Sequence, residues 1–239
     1  PHHSTSQTAL VGGGSQIIRP GEVSIAHGGV LFMDELAEFA PSVLDGLRQP
    51  LESRSVQVIR TGIRAALPAD FLLVAAMNPC PCGGGAPGSC LCGDAVLHRY
   101  ARRVSGPLLD RFDLRVPVHR PAVDQLLANE PGESSAAIAA RVLAARQLAE
   151  ARQGCLNSAL PADRLDDVAR LDAAGMALLR HELEHERLSG RGYHRIRRVA
   201  RTIADLRGHS PPTVAEQDVA IALRFRATIA RSQTTGRVA

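Results

Sequence analysis

Residues 27–39 read HGGVLFMDELAEF. An apolar run, Val30-Leu31-Phe32-Met33, ends in two adjacent carboxylates, Asp34 and Glu35, and a new apolar/polar pattern starts directly after them. The run predicts a short buried strand leading into a helix. Two carboxylates at the tip of a hydrophobic strand are costly to bury unless something cationic compensates them. That cation could be a metal: an Asp at the carboxyl end of a buried strand can hold Mg²⁺ through water, and the neighbouring carboxylate can orient or deprotonate an attacking water. An exposed strand end running into a helix satisfies the same pattern.

Working outward, 239 residues with 45% apolar and 22% charged content fit a globular chain of one or two domains. The longest apolar stretches, such as DFLLVAAM at 70–77, fall short of the ~18–20 residues that span a bilayer, and no charged, apolar leader opens the chain. A cytoplasmic setting with no membrane contact is therefore expected. The chain opens on Pro1-His2-His3 without an initiator Met, as a fragment of a longer protein would. Net charge is only +4, yet all 28 basic residues are Arg. A phosphate-binding loop of the form G-x-x-x-x-G-K-[ST] needs its Lys, so these residues cannot contain one.

The pattern divides the chain near Arg120-Pro121, into residues 1–120 and 121–239. In the first part, 23–26 and 30–33 read as strands and 41–52 as a helix with Pro at its start. Residues 55–59 and 63–67 flank Arg60-Thr61-Gly62 as a hairpin, and 71–76 and 114–118 read as further buried strands. Strands alternating with helices, with continuous hydrophobicity, predict a parallel sheet covered on both faces. After Pro121 the pattern is nearly all helical, over 134–153, 163–173, 175–188, 192–206 and 214–226, which predicts a small bundle.

The second apolar strand, FLLVAAMNPC, ends in Asn78, which could hydrogen-bond the same attacking water as Glu35. Further on, SGPLLDRFDLRV places Arg111 where a guanidinium could reach a phosphate bound by a neighbouring subunit. The order GVLFMDE, AAMNPCPCG, SGPLLDRFD and GRGYHRIRRVARTIADL resembles the C-terminal part of the magnesium-chelatase-like AAA+ ATPases of the YifB/ComM family, from PHHS at residue 1 to about Arg226.

The resemblance implies an α/β fold: part of a P-loop AAA+ core, a parallel sheet with helices on both faces, followed by an all-α helical lid, assembled as a ring that is usually a hexamer. It implies ATP and Mg²⁺ as cofactors. Asp34 and Glu35 match the Walker B pair, Asn78 sensor 1, Arg111 the arginine finger and Arg191 the sensor 2 arginine of the lid. The hairpin corresponds to one that points into the pore of related ring motors, which makes Arg60 and Arg64 candidates for gripping a DNA backbone. A solvated hairpin with ordinary charges is the alternative. The Walker A loop would lie upstream, so this fragment alone should bind nucleotide weakly or not at all.

Four of the five cysteines, Cys80, Cys82, Cys90 and Cys92, cluster in a Gly-rich loop. In a reducing compartment this spacing points to a structural Zn²⁺ held by four thiolates, or to reduced free thiols, rather than to disulfides. Zinc would pin the loop and steady Asn78. Cys155 stands apart as a packing residue. HELEH, 181–185, fits the zinc-peptidase pattern H-E-x-x-H, but its extension fails, because Leu188 and Arg191 occupy the positions of the further Gly and His. An exposed helix with charged pairs is the expectation there. In 192–206, Arg195, Arg197, Arg198 and Arg201 are expected on a solvated basic face opposite an apolar stripe. Aromatic residues are scarce, so any contact to nucleic acid should be to phosphates.

The function expected is that of an AAA+ ATPase motor coupling ATP hydrolysis to DNA remodelling, as helicase or branch-migration activity on single-stranded or branched DNA in recombination or natural competence. A chelatase-type motor that remodels a protein partner for metal insertion, and a zinc-stabilised DNA-binding module without ATPase activity, are the alternatives.

Overall fold

A computed structural model describes residues 1–14, 17–60, 63–84, 90–119, 121–127, 131–208 and 213–226. The chain forms two compact units, one over Pro1–Phe112 and one beginning at Asp113.

The first unit opens with α1 (Gln7–Val11), capped by the Ser6 hydroxyl, and a two-residue antiparallel pairing of β1 (Gly12–Gly13) with β2 (Arg19–Pro20). Gly21 lies so close to the end of α1 that a Cβ there would stand 2.3 Å from the Gly12 nitrogen, so only glycine lets the chain cross at that point. Residues 23–26, expected as a strand, instead form the body and C-cap of α2 (Glu22–Ile25), whose Val23 is fully buried. Four residues are too few for periodicity to separate strand from helix, and no strand among the described residues pairs with them.

The central pairing is parallel, between β3 (Val30–Met33) and a strand reached after a helical stretch and a hairpin. That helical stretch is not the single helix expected over 41–52. It breaks into α3 (Pro41–Asp45), a 3-10 turn at Gly46–Arg48 and α4 (Pro50–Ser53), because Pro50 has no N–H to donate and its ring crowds the carbonyl one turn back. The hairpin pairs β4 (Ser55–Arg60) with β5 (Ile63–Pro68) in the register Arg60↔Ile63. Then β6 (Leu72–Ala75) returns alongside β3, with Val30 opposite Leu72 and Met33 opposite Ala75.

Leu31, Met33, Leu73 and Ala75 face a core shared with Leu10, Val23, Leu36, Phe39, Val43, Leu44, Leu47, Val56, Val58 and Leu108. The α/β class with a parallel sheet is thus present, but helices cover one sheet face among the described residues. On the opposite face Val30, Phe32, Leu72 and Val74 are exposed. After the cysteine loop come α5 (Asp94–Ala101) and α6 (Gly106–Leu109).

In the second unit, 114–118 forms no strand. The Arg115 N–H donates to the Phe225 carbonyl (2.7 Å), but no ladder of successive bonds forms over 114–118 among the described residues, and Leu114, Val116 and Val118 stay exposed. The helical part comprises α7 (Val123–Leu127), α8 (Ser135–Gln153), α9 (Leu165–Val168), α10 (Ala173–Glu184), α11 (Gly190–Leu206) and α12 (Glu216–Arg224). One small parallel pairing joins β7 (Arg170–Leu171) to β8 (Thr213–Val214). Leu160, Leu165, Leu179, Ile196, Ala200, Val214 and Val219 pack its core. No helix among the described residues is long and apolar enough to cross a membrane.

Candidate functional site

Parallel pairing decides what the acidic pair meets. The ladder continues one step beyond the strands, with the Ala76 N–H donating to the Met33 carbonyl (3.0 Å) and the Leu36 N–H to the Ala76 carbonyl (2.8 Å). Asp34 and Glu35 therefore leave β3 at the same end of the sheet at which Asn78 follows β6, and all three are exposed. Glu35 has left-handed backbone, φ 50, at a non-glycine residue. Its N–H donates to Asp34 Oδ1 (2.9 Å), which leaves the other Asp34 oxygen for a hydrated cation. The left-handed turn splits the two carboxylates at the strand tip, and strain of this kind concentrates at functional sites.

Two residues that no sequence motif marked stand at the same tip. His3 Nδ1 lies 3.5 Å from Glu35 Oε2. Tyr100, buried on α5, has its phenol held protonated beyond the usual range, first by burial and then by the nearby Glu38, Cys80 and Glu35, with Arg103 opposing. The paired histidines of the opening PHHS were a usable sign for His3; nothing local points to Tyr100.

Arg111 is committed elsewhere. Its Nε donates to the Arg48 carbonyl (2.9 Å), its Nη1 to the Pro107 carbonyl (2.6 Å) and its Nη2 to the Glu52 carboxylate, and the side chain is only 9% exposed. Arg191 sits exposed in the first turn of α11, in the second unit. Arg64 is exposed on β5 opposite Ile59; the side chain of Arg60 and the tip at 61–62 lie outside the described residues.

The four clustered cysteines do converge. The Sγ atoms of Cys80, Cys82, Cys90 and Cys92 all lie within 4.8 Å of one another, with Cys80 to Cys82 at 3.3 Å and Cys82 to Cys90 at 3.7 Å. Tetrahedral Zn²⁺ with Zn–S of about 2.3 Å needs sulfurs roughly 3.8 Å apart, so this donor set fits a thiolate-bound metal. Cys82 is pushed down to about 6 by the Gly84 backbone, then by the Cys80 thiol, the Leu91 backbone and the Cys92 thiol. At Cys90 the Cys92 backbone favours the thiolate, but Cys80, burial and the other two sulfurs outweigh it and push the thiol up to about 12. Cys92 is raised as well, mainly by Cys82. One thiolate thus suppresses its neighbours, and a divalent cation would relieve that repulsion.

HELEH joins no group of three or more possible metal ligands among the described residues. The His181 and His185 rings lie 4.1 Å apart, His185 Nδ1 is 2.8 Å from the His181 carbonyl, and the cysteine group is the one cluster of three or more ligands among the described residues. The basic face expected on α11 is not solvated either. Arg197 donates to the Leu165 (2.8 Å) and Ala169 (3.1 Å) carbonyls, which closes the end of α9. Arg201 is wholly buried against Asp205, Arg198 donates to the Leu160 carbonyl and Arg195 pairs with Asp113. Long arginine stems pack like apolar residues when carbonyls and carboxylates meet their heads.

Residues 1–126 match the family model described as magnesium chelatase, subunit ChlI, and residues 132–226 match the model of its C-terminal part. An uncharacterized protein of Mycobacterium tuberculosis is 46% identical over 235 residues, covering 97% of this chain and 46% of the relative. The competence protein ComM of Haemophilus influenzae is 43% identical over 232 residues (96% of this chain, 45% of the relative). The uncharacterized protein YifB of Escherichia coli is 43% identical over 228 residues (95% and 44%). The chain thus spans about half the length of the curated relatives it matches. With both family models matched in order, and with a parallel sheet that brings the acidic pair and Asn78 to one end, the chain belongs to the magnesium-chelatase-like AAA+ family.

Proposed function

We propose that this chain is the C-terminal portion of a ring-forming AAA+ motor, usually hexameric in its family, that couples ATP hydrolysis to DNA remodelling. The observation that carries the reading is the placement of Asp34, Glu35 and Asn78 at the carboxyl end of two adjacent parallel strands. In this reading Asp34 holds Mg²⁺, which supplies charge neutralisation for the triphosphate when bound. Glu35 accepts a proton from the attacking water and Asn78 orients that water. The lysine-bearing phosphate loop comes from outside these 239 residues. Arg191 reports nucleotide state to the helical lid. Arg111 acts across a subunit boundary, which requires its release from Glu52. Arg60 and Arg64 contact DNA phosphates, single-stranded or branched, and Zn²⁺ on the four cysteines holds the loop after Asn78. A cytoplasmic location suits such thiolates.

The test is Glu35→Gln in the protein extended upstream to the length of its relatives. ATP binding should persist while turnover drops by about two orders of magnitude or more, the loss expected for a general base; unaltered turnover overturns the reading. The family models' own description favours a second reading, a chelatase-type motor acting on a protein partner. Stimulation of turnover by branched DNA supports the first reading, and its absence supports the second. A zinc-loaded, DNA-binding protein with no ATPase activity would indicate a purely binding module.

A further inference from the structure

The Glu35 carboxylate has one hydrogen-bond or ion-pair partner among the described residues, and it is the imidazole of His3. That imidazole is braced from behind. The Thr5 N–H donates to the His2 carbonyl (2.9 Å), His2 Nδ1 lies 2.8 Å from the Ser4 hydroxyl, and the His2 and His3 rings lie against each other at a tilt of 35° with centroids 4.0 Å apart. Two residues on, Ser6 caps α1 by accepting from the Ala9 N–H (3.2 Å), and α1 is fastened to the core by the fully buried Leu10. A short turn rooted in the core thus presents His3 to the strand tip. On the other side, Glu35 is fixed by its left-handed backbone, its N–H bond to Asp34 and the Leu36 N–H bond to Ala76. Its main chain is held by these contacts, while its carboxylate can still rotate about the side-chain torsions.

We propose that His3 is the positioning residue for Glu35: its Nδ1–H holds one carboxylate oxygen and leaves the other turned to the mouth of the site, where Asn78 stands. A base works when a third group fixes its orientation. At 3.5 Å the contact is longer than a formed N–H···O bond, as catalytic contacts often are before substrate binds. The side chains of His3 and Glu35 are 41% and 56% exposed, and an ion pair so well solvated adds little to stability. The role is therefore orientation and not support of the fold. This inference rests on Glu35 being the base, and the experiment separates the two.

In the 239-residue chain, long-range ¹H–¹⁵N spectra of the imidazoles should show the His3 Nδ1 resonance shifting on Glu35→Ala, with His27 and His98 unmoved. In the protein extended to the length of its relatives, His3→Ala should lower kcat about tenfold, part of what a well-placed base contributes. KM for ATP should stay within about threefold and the melting temperature should not change. His3→Asn, whose Nδ2–H falls near the position of the imidazole Nδ1, should restore most of kcat, and His3→Ala should cost nothing further on top of Glu35→Gln. An unmoved His3 resonance overturns the pairing. Normal kcat in His3→Ala, with Glu35→Gln inactive, overturns the positioning role alone. Normal turnover in Glu35→Gln strikes the assignment of the base and the positioning role together.

Discussion

Asp205 lies fully buried on α11 between two guanidiniums. Arg152 reaches it with two nitrogens at 2.8 and 3.0 Å and Arg201 with two at 2.8 and 3.2 Å, while the Asn157 amide donates at 2.8 Å. Burial pushes the Asp205 carboxyl up, but these partners more than offset it and hold it below its ordinary value of 3.8. Asp205→Ala would take the buried carboxylate away from Arg201 and Arg152, a loss of about 3–5 kcal/mol measured by chemical denaturation. The sign with pH follows from the depressed folded value. The stabilisation is present above pH 3.8 and is lost as the pH falls through the lower folded value, so acid unfolding of the wild type should be steeper there than that of Asp205→Asn. Arg201 lies on the arc of α11 where the sequence suggested solvent, one turn before Asp205. The carboxylate at i+4 was legible; the second guanidinium from α8, which makes the site tight enough to bury, was not, because Arg152 arrives from 53 residues away.

Two helices of the second unit share one cap. Asp172 accepts from the Gly175 N–H (2.7 Å) at the start of α10 and, through its other oxygen, from the Glu216 N–H (3.2 Å) at the start of α12. Each capping bond is worth about 1 kcal/mol, so Asp172→Ala should cost about 2 kcal/mol, against about 1 for Ser134→Ala, whose hydroxyl caps α8 alone (3.3 Å). Equal denaturation midpoints for the two variants would refute the shared cap. The β4/β5 hairpin was readable because alternation puts Val56 and Val58 in the core and leaves Gln57 and Ile59 outside. If it grips phosphates, Arg64→Ala should reduce the slope of log Kobs against log salt by about one contact. Residues 114–118 carry a strand-like composition and still form none, since pairing is a property of two segments.

Across the molecule, the sulfur cluster ties the exit of β6 to the entry of α5, since Cys80 follows Asn78 and Cys92 precedes Asp94. Purified protein should carry about one zinc per chain, and stripping it should lower the melting temperature, because ligand binding free energy is folding free energy; metal-free protein of unchanged stability would refute the site. The open sheet face of Val30, Phe32, Leu72 and Val74 is apolar and, in a chain spanning half the length of its relatives, should be protected from hydrogen exchange and dye binding once the remaining length is restored. The sequence by itself determined the α/β class, the strand ending in Asp34-Glu35, the hairpin and the cysteine set. Each of these is written in a short window through periodicity, turn residues or ligand chemistry. Only the tertiary structure decided that the run at 23–26 coils into a helix and that Arg111 is held by Glu52. It also decided that Arg197 and Arg201 of α11 point inward and that His3 meets Glu35. Each of those outcomes depends on which distant backbone or charge comes within a few ångströms, and no local pattern encodes that.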